Sequence, residues 1–164
     1  MSLATPLPER RRAAAGFWLL ALQLSQGSEA QRLANIRVGF APGWVRAMHD
    51  AFALGPRQME SLFNLSTSTL ERRQRQQQPL DAVASERLDR VAMLASHAMR
   101  VFETPERAGH WMITSNVALD AGTPLQACET GIGAAQAHRA LATLESAGAV
   151  PNQRAVSTTT RPRT

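Results

Sequence analysis

A chain of 164 residues is long enough for one hydrophobic core, or for two small helical units that share a seam. Its net charge of +5 comes from 18 basic residues, all arginine, and a single cysteine excludes a disulfide framework and a paired-thiol metal site. Residues 1–78 carry ten arginines and five acidic residues, whereas residues 79–150 carry five and eight. The basic first half could bind phosphate groups, and the acidic second half is expected to bind a different partner. No apolar stretch reaches the length of a membrane span.

The first predicted helix covers residues 9–25 and is strongly apolar. Phe17, Leu20 and Leu24 share one side, so the helix needs a packing surface, either the rest of the chain or a second copy. The three arginines at its start and the apolar run after them resemble a signal peptide, but no small-x-small cleavage site follows and Gln23 interrupts the apolar end. We therefore expect a cytoplasmic protein.

Three helices are predicted next, after residues 29–40, which give no clear signal. Their ranges are 43–53, 56–64 and 67–77. The last two are short and joined by a tight turn, and the final one is polar and rich in arginine. This arrangement is typical of a helix-turn-helix that places its second helix in the major groove of DNA. The alternative is that the arginines form only a solvated helix face.

The arginine-rich helix defines the candidate DNA-reading surface. Ser66 and Ser68 are both possible N-caps, and Ser68 with Glu71 matches the capping-box pattern. Leu70 is expected to point inward. The residues predicted to face DNA are Ser66, Thr67, Ser68, Thr69, Arg72, Arg73 and Arg75.

A long helix is predicted at residues 81–102, with Glu86 and Arg90 forming an ion pair on its outer side. Its apolar stripe comprises Val83, Leu88, Val91, Leu94, Ala95, Ala98, Val101 and Phe102. Because no pair of strands is predicted anywhere in the chain, the fold class is all-α.

Two further helices complete the prediction. One begins at Pro105 behind Thr104 as its N-cap, with Trp111 and Met112 inward. The last runs over residues 132–147 and is stopped by Gly148, and the polar residues after 150 are unable to pack alone.

The sequence shows no catalytic, cofactor-binding or metal-binding set. His49, His97, His110 and His138 stand on separate predicted helices without an acidic residue at metal-ligand spacing, which favours packing or surface roles. Cys128 lies among apolar residues, and we expect it to be a small buried residue and not a nucleophile. We therefore expect neither an enzyme nor a cofactor.

Five segments occur in one order along the chain: NLSTSTLERR, LDAVASERLDRVAML, AMRVFETPERAGHWM, NVALDAGTPL and TGIGA. Over about residues 36–150 they resemble the Xre/MbcA/ParS family of bacterial antitoxins. The resemblance implies an Xre-like helix-turn-helix beside a small helical toxin-binding domain. It also implies a toxin partner, most often of the RES type that degrades NAD, and repression of the pair's own operon. The chain departs from the family pattern at Ser115 and at Asp120-Ala121.

The resemblance and the residues together predict four segments. Residues 1–35 form an N-terminal extension, 36–79 the DNA-binding domain, 80–150 the toxin-binding domain and 151–164 a basic tail. The residues expected to bind toxin are Thr123, Pro124, Leu125, Thr130, Gly133, Glu145 and Gly148. We expect an antitoxin that binds its toxin and operator DNA as a homodimer or higher oligomer. The alternative is a stand-alone helix-turn-helix regulator whose C-terminal domain oligomerises.

Overall fold

A computed structural model describes residues 7–148, with side chains from Arg11 onward, and this part of the chain contains helices but no strand. The all-α prediction is therefore confirmed. In chain order the α-helices are α1 (Leu7–Gln26), α2 (Glu29–Val38), α3 (Gly43–Phe52), α4 (Pro56–Phe63), α5 (Thr67–Arg75), α6 (Ala82–Phe102), α7 (Pro105–Met112), α8 (Pro124–Ala127) and α9 (Gly131–Ser146), with a 3₁₀ turn at Val117–Leu119 between α7 and α8.

The fold is organised around α6, which packs against α1, α2, α4, α7 and α9. The carboxylate of Asp81 caps α6 by accepting a hydrogen bond from the Ala84 N–H at 2.8 Å. Most of the predicted stripe is buried, but the prediction for Val83 was wrong, since its side chain is 52% exposed. Val83 lies four and seven residues before Arg87 and Arg90, and it therefore shares their half-buried face and not the core face.

Helix α1 lies across α3 and α6, and its inner face is the one that the apolar pattern predicted. Phe17, Leu20 and Leu24 are buried. The rings of Phe17, Trp18 and Phe52 meet edge to face, with centroids 5.2 to 5.7 Å apart. None of the helices within residues 7–148 has the length and apolar character needed to cross a bilayer.

Helix α2 occupies the segment that gave no clear signal. Ser28 and Gln31 form a capping box at its start, yet none of its ten residues is buried. Among its larger apolar side chains Ile36 packs against the core while Leu33 and Val38 are exposed, so no continuous apolar stripe marks this helix in the sequence.

The loop after α2 is held against the loop before α6. Gly39 has a φ of +90°, and a Cβ on it would lie 2.3 Å from the Leu80 carbonyl oxygen. The Leu80 N–H donates to the Phe40 carbonyl at 2.9 Å, and the buried Ser85 hydroxyl accepts from the Phe40 N–H at 3.0 Å. These bonds fix the position of α2 and α3 relative to α6.

Threonine residues cap α7 and α9, and of these two caps only Thr104 was predicted. Thr104 caps α7, Thr130 caps α9, and Gly148 follows α9 with a φ of +59°. Met112 is fully buried, whereas Trp111 is half-buried, so only the first of the two is a full core residue. Residues 149–164, including the predicted tail, lie outside the described part.

Candidate functional site

The predicted helix-turn-helix is present as α4 and α5. Asn64 ends α4 in the left-handed region, with a φ of +53°, which reverses the chain within a few residues. Ser66 is the N-cap of α5, and its hydroxyl accepts from the Thr69 N–H at 3.2 Å. The capping box predicted from Ser68 and Glu71 was wrong, because Ser66 takes the cap position and Ser68 lies inside the first turn.

Glu60 fixes the angle between the two helices. Its carboxylate accepts hydrogen bonds from the Thr67 N–H at 2.8 Å and from the Thr67 hydroxyl at 2.9 Å. These two bonds favour the charged carboxylate and lower the pKa of Glu60. The Thr67 side chain, predicted to face DNA, is thereby engaged in joining α4 to α5.

The arginines of α5 fall into two groups. No residue of α5 is buried, and the side chains of Arg72 and Arg75 are exposed. The Arg73 side chain is only 23% exposed, and its Nη1 donates to the Pro79 carbonyl at 2.7 Å. Arg73, also predicted to face DNA, therefore ties α5 to the loop that leads into α6.

Two arginines of α6 connect the neighbouring units to this central helix. Arg87 Nη1 donates to the carbonyls of Ser61 and Leu62 at 3.0 and 3.1 Å, in the last turn of α4 where carbonyls lack helical partners. Arg90 Nη1 donates to the Cys128 carbonyl at 2.8 Å, just after α8. One face of α6 thus holds the helix-turn-helix through Arg87 and the C-terminal helices through Arg90.

Arg90 also forms the predicted ion pair with Glu86, with 3.1 Å between Nε and Oε1. The Glu86 side chain is 44% exposed, as expected for the outer side of α6, whereas the Arg90 side chain is only 18% exposed because it reaches under the end of α8. Beside it Cys128 is fully buried, and burial raises the pKa of its thiol to about 12. The prediction that Cys128 is a small buried residue is confirmed.

The corner between α8 and α9 contains most of the residues predicted to bind toxin. Thr123 and Thr130 are the N-caps of α8 and α9, and the Thr130 hydroxyl accepts from the Gly133 N–H at 2.9 Å. Pro124 and Leu125 are buried. A Cβ at Gly133 would lie 2.3 Å from the Ala127 carbonyl oxygen, so the backbone at the start of α9 lies too close to the end of α8 for any side chain at this position. In this structure the five residues shape the corner.

The other two residues predicted to bind toxin lie at the opposite end of α9. The Glu145 side chain is 53% exposed, and Gly148 is exposed at the end of α9. Two apolar side chains also face solvent: Val117 is 95% exposed and Ile132 is 78% exposed. Both side chains are therefore available for contact with another molecule.

A histidine pair joins α9 to α6. The Nδ1 atoms of His97 and His138 are 2.9 Å apart, the ring centroids are 5.2 Å apart and the ring planes differ by 22°. The two nitrogens thus lie between nearly coplanar rings, which is the geometry of an N–H···N hydrogen bond. With Glu145 Oε2 at 3.5 Å from His97 Nε2, we assign the His97 proton to Nε2 and the shared proton to His138.

The environment of this pair opposes its protonation. Burial lowers the pKa of both rings; Arg100 adds to the effect at His97, and His97, Arg100 and Arg32 add to it at His138. The packing role expected for these two histidines is confirmed. Within residues 7–148 no group of three or more His, Cys, Asp or Glu side chains is arranged to hold a metal ion.

Arg32 anchors α2 to α6. Its Nε and Nη2 donate to the two carboxylate oxygens of Asp89 at 3.1 and 2.6 Å, which is a forked pair, and Asp89 is 3% exposed. The hydrogen bond with Asp89 is the main cause that raises the pKa of Arg32. The two residues are 57 positions apart in the sequence, so no local sequence pattern predicts their pairing.

Comparison with known families identifies both halves of the chain. Residues 31–93 match the antitoxin Xre-like helix-turn-helix domain, and residues 97–146 match the antitoxin Xre/MbcA/ParS C-terminal toxin-binding domain. A comparison with curated proteins gives no match. The two matched ranges meet within α6, the helix that carries both Arg87 and Arg90. The chain belongs to the Xre/MbcA/ParS family of antitoxins, with a helix-turn-helix domain followed by a C-terminal toxin-binding domain.

Proposed function

We propose that this protein is the antitoxin of a type II toxin–antitoxin pair, which blocks its cognate toxin and represses its own operon. The observation that carries the proposal is the match of both domains, in order, with the two matched ranges meeting within α6. The mechanism is steric in both halves, because the antitoxin covers the toxin's substrate pocket and occupies the promoter. The proposed partner is a RES-type toxin that degrades NAD with its own residues.

For DNA reading we assign Arg72 and Arg75 as the principal contacts. Both are exposed on a helix that has no buried residue, whereas Arg73 is bonded to the Pro79 carbonyl. One such helix makes few phosphate contacts, so two copies are proposed to bind paired half-sites about one helical turn apart. An arginine that reads guanine contributes about 1–3 kcal/mol of discrimination, and one that contacts phosphate mainly steepens the salt dependence.

Gel shifts on the DNA upstream of the gene test this assignment. Arg72→Ala and Arg75→Ala should each weaken binding with an unchanged melting temperature. Arg139→Ala removes an exposed arginine from α9, in the other domain, and should bind normally. Wild-type affinity in both α5 variants would contradict the assignment.

For toxin binding we assign exposed residues at the two ends of α9. Ile132 supplies an apolar contact, and Glu145 and Gly148 lie toward the end of α9 that leads into the tail. Thr123, Pro124, Leu125, Thr130 and Gly133 belong to the proposal as residues that position this surface. An exposed apolar side chain such as Ile132 suits insertion into a concave substrate pocket.

Co-expression with the neighbouring toxin tests this half. The full chain and Leu33→Arg, an exposed change on α2, should rescue growth and co-purify with the toxin, whereas Ile132→Arg should do neither. Both substituted leucine and isoleucine side chains are more than half exposed, so both variants should fold. Rescue by Ile132→Arg as strong as by the full chain would place the toxin surface elsewhere.

A further inference from the structure

A cleft of about 430 Å³ lies between the two domains. One wall belongs to the DNA-binding domain and comes from the α3–α4 loop and α4. The other wall belongs to the toxin-binding domain and comes from the end of α7 and from α8. The side chains that line this α4–α8 cleft include Leu54, Ser61, Leu62, Ile113, Leu125 and Glu129.

Helix α6 holds both walls of the α4–α8 cleft in place. Arg87 is bonded to the carbonyls of Ser61 and Leu62, at the end of α4 that lines the cleft. Arg90 is bonded to the Cys128 carbonyl, one residue before Glu129 on the opposite wall. The cleft is therefore already formed in the free chain, and a preformed site loses less free energy in ordering than one that must open.

The lining of the cleft is largely apolar, with one charge of each sign on opposing walls. Leu62 and Leu125 line it and are buried, whereas Ile113 at the end of α7 is 46% exposed. Arg57 lies on the α4 wall and Glu129 on the α8 wall. A complementary partner therefore presents an apolar group between an acidic and a basic group.

We propose that the cognate toxin inserts an apolar side chain into the α4–α8 cleft and so contacts the DNA-binding domain as well as the toxin-binding domain. This inference rests on the proposed function in toxin binding. Thr123 and Leu125, which the sequence predicted to bind toxin, both line the cleft. Glu129 precedes the proposed apolar contact Ile132 by three residues, which span at most about 10 Å. A toxin that covers Ile132 is therefore within reach of the cleft.

The residues assigned on α9 are too few to form a stable interface by themselves. They lie at the two ends of a helix that is about 24 Å long. A stable protein–protein interface buries roughly 800 Å² on each partner and involves about 20–30 residues a side. The toxin surface must therefore extend beyond α9, and the α4–α8 cleft provides apolar surface that continues from the α8–α9 corner through Glu129.

The cleft is separate from the surface proposed to read DNA. Of the residues that the structure describes, none on α5 lines it, and the carboxylate of Glu129 would repel phosphate. A toxin side chain in the cleft thus leaves Arg72 and Arg75 exposed. Changes in the cleft should therefore alter toxin binding without altering DNA binding.

Filling the cleft tests the proposal, with binding of the full chain to the neighbouring toxin measured by titration calorimetry. Ser61→Trp places a large ring in the cleft from an exposed position on α4, and it should weaken toxin binding by about tenfold or more. Ala34→Trp is the matched control, since Ala34 is exposed on α2 and lines a different groove, between α1 and α2. It should bind toxin like the wild type. Both variants should keep the melting temperature and the affinity for upstream DNA of the wild type.

Cross-linking tests the contact without filling the cleft. Ala53 is exposed, lines the cleft and lies in the α3–α4 loop of the DNA-binding domain. Ala53→Cys carrying a benzophenone label should cross-link to the toxin on irradiation, whereas labelled Ala34→Cys should not. The native Cys128 is fully buried and does not take up the label.

The outcomes separate this inference from the proposed function. A wild-type chain that does not bind the toxin would refute the proposed toxin binding, and the inference with it. If the wild type binds toxin but Ser61→Trp binds it as tightly as Ala34→Trp does, only the role of the cleft is overturned. A labelled Ala53→Cys variant that binds toxin without cross-linking would overturn it as well.

Discussion

Replacing Gly133 by alanine separates a role in folding from a role in toxin contact. A Cβ at this position would lie 2.3 Å from the Ala127 carbonyl oxygen and 3.0 Å from its carbon, both of them backbone atoms that cannot rotate away. Either the end of α8 or the start of α9 must then move. Overpacking of this kind costs about 1–3 kcal/mol, and the better helix propensity of alanine offsets up to about 1 kcal/mol of that. We expect a net loss of about 1–2 kcal/mol.

Gly131 provides a control in the same turn of α9, because a Cβ there would meet no atom within 4 Å. Gly131→Ala should leave stability unchanged or raise it by up to about 1 kcal/mol. Gly133→Ala should therefore lower the free energy of unfolding, whereas Gly131→Ala should leave it unchanged or raise it. For a chain of this length, Gly133→Ala should lower the melting temperature by roughly 2–8 °C.

Thermal and urea denaturation followed by circular dichroism, together with toxin binding, provide the assay. If Gly133 acts through the α8–α9 corner, its alanine variant loses stability and toxin affinity together. A Gly133→Ala variant as stable as Gly131→Ala would refute the steric argument. If that stable variant also failed to bind toxin, Gly133 would be a direct contact, as the sequence alone suggested.

Three other predictions concern buried polar groups. The pKa values of His97 and His138 are lowered in the folded chain, so the neutral pair stabilises the fold above pH 6.5. This contribution to the free energy of unfolding is lost as the pH falls below 6.5 towards the folded pKa values. The variant His138→Gln should lose less stability over this range, as measured by urea denaturation at several pH values. Arg32→Ala leaves the carboxylate of Asp89 buried and unpaired, and it should lower the free energy of unfolding by up to about 3 kcal/mol. The loss is smaller than for a fully buried pair because the Arg32 side chain is 32% exposed. The double variant Arg32→Met with Asp89→Leu should recover most of the lost stability in chemical denaturation. Cys128, with a thiol pKa of about 12, should react with iodoacetamide at neutral pH only after unfolding, and fast labelling of the folded chain would contradict its burial.

Local signals in the sequence determined the ends and types of most helices. Thr104 was readable as a cap because a cap bonds to a backbone N–H three residues away, within the reach of a sequence pattern. Gly148 was readable as a stop because glycine adopts a positive φ without strain. The spacing of apolar residues likewise identified α6 and the α4–α5 pair, and the order of five segments identified the family.

Only the tertiary structure determined which polar side chains hold those helices together. Arg73 has the sequence context of a DNA-reading arginine, but its guanidinium is bonded to the Pro79 carbonyl. Arg32 and Asp89, or His97 and His138, are far apart in the chain, so no local pattern can pair them. Periodicity reports burial of apolar groups, whereas the partner of a charged or hydrogen-bonding group depends on which elements the fold brings into contact.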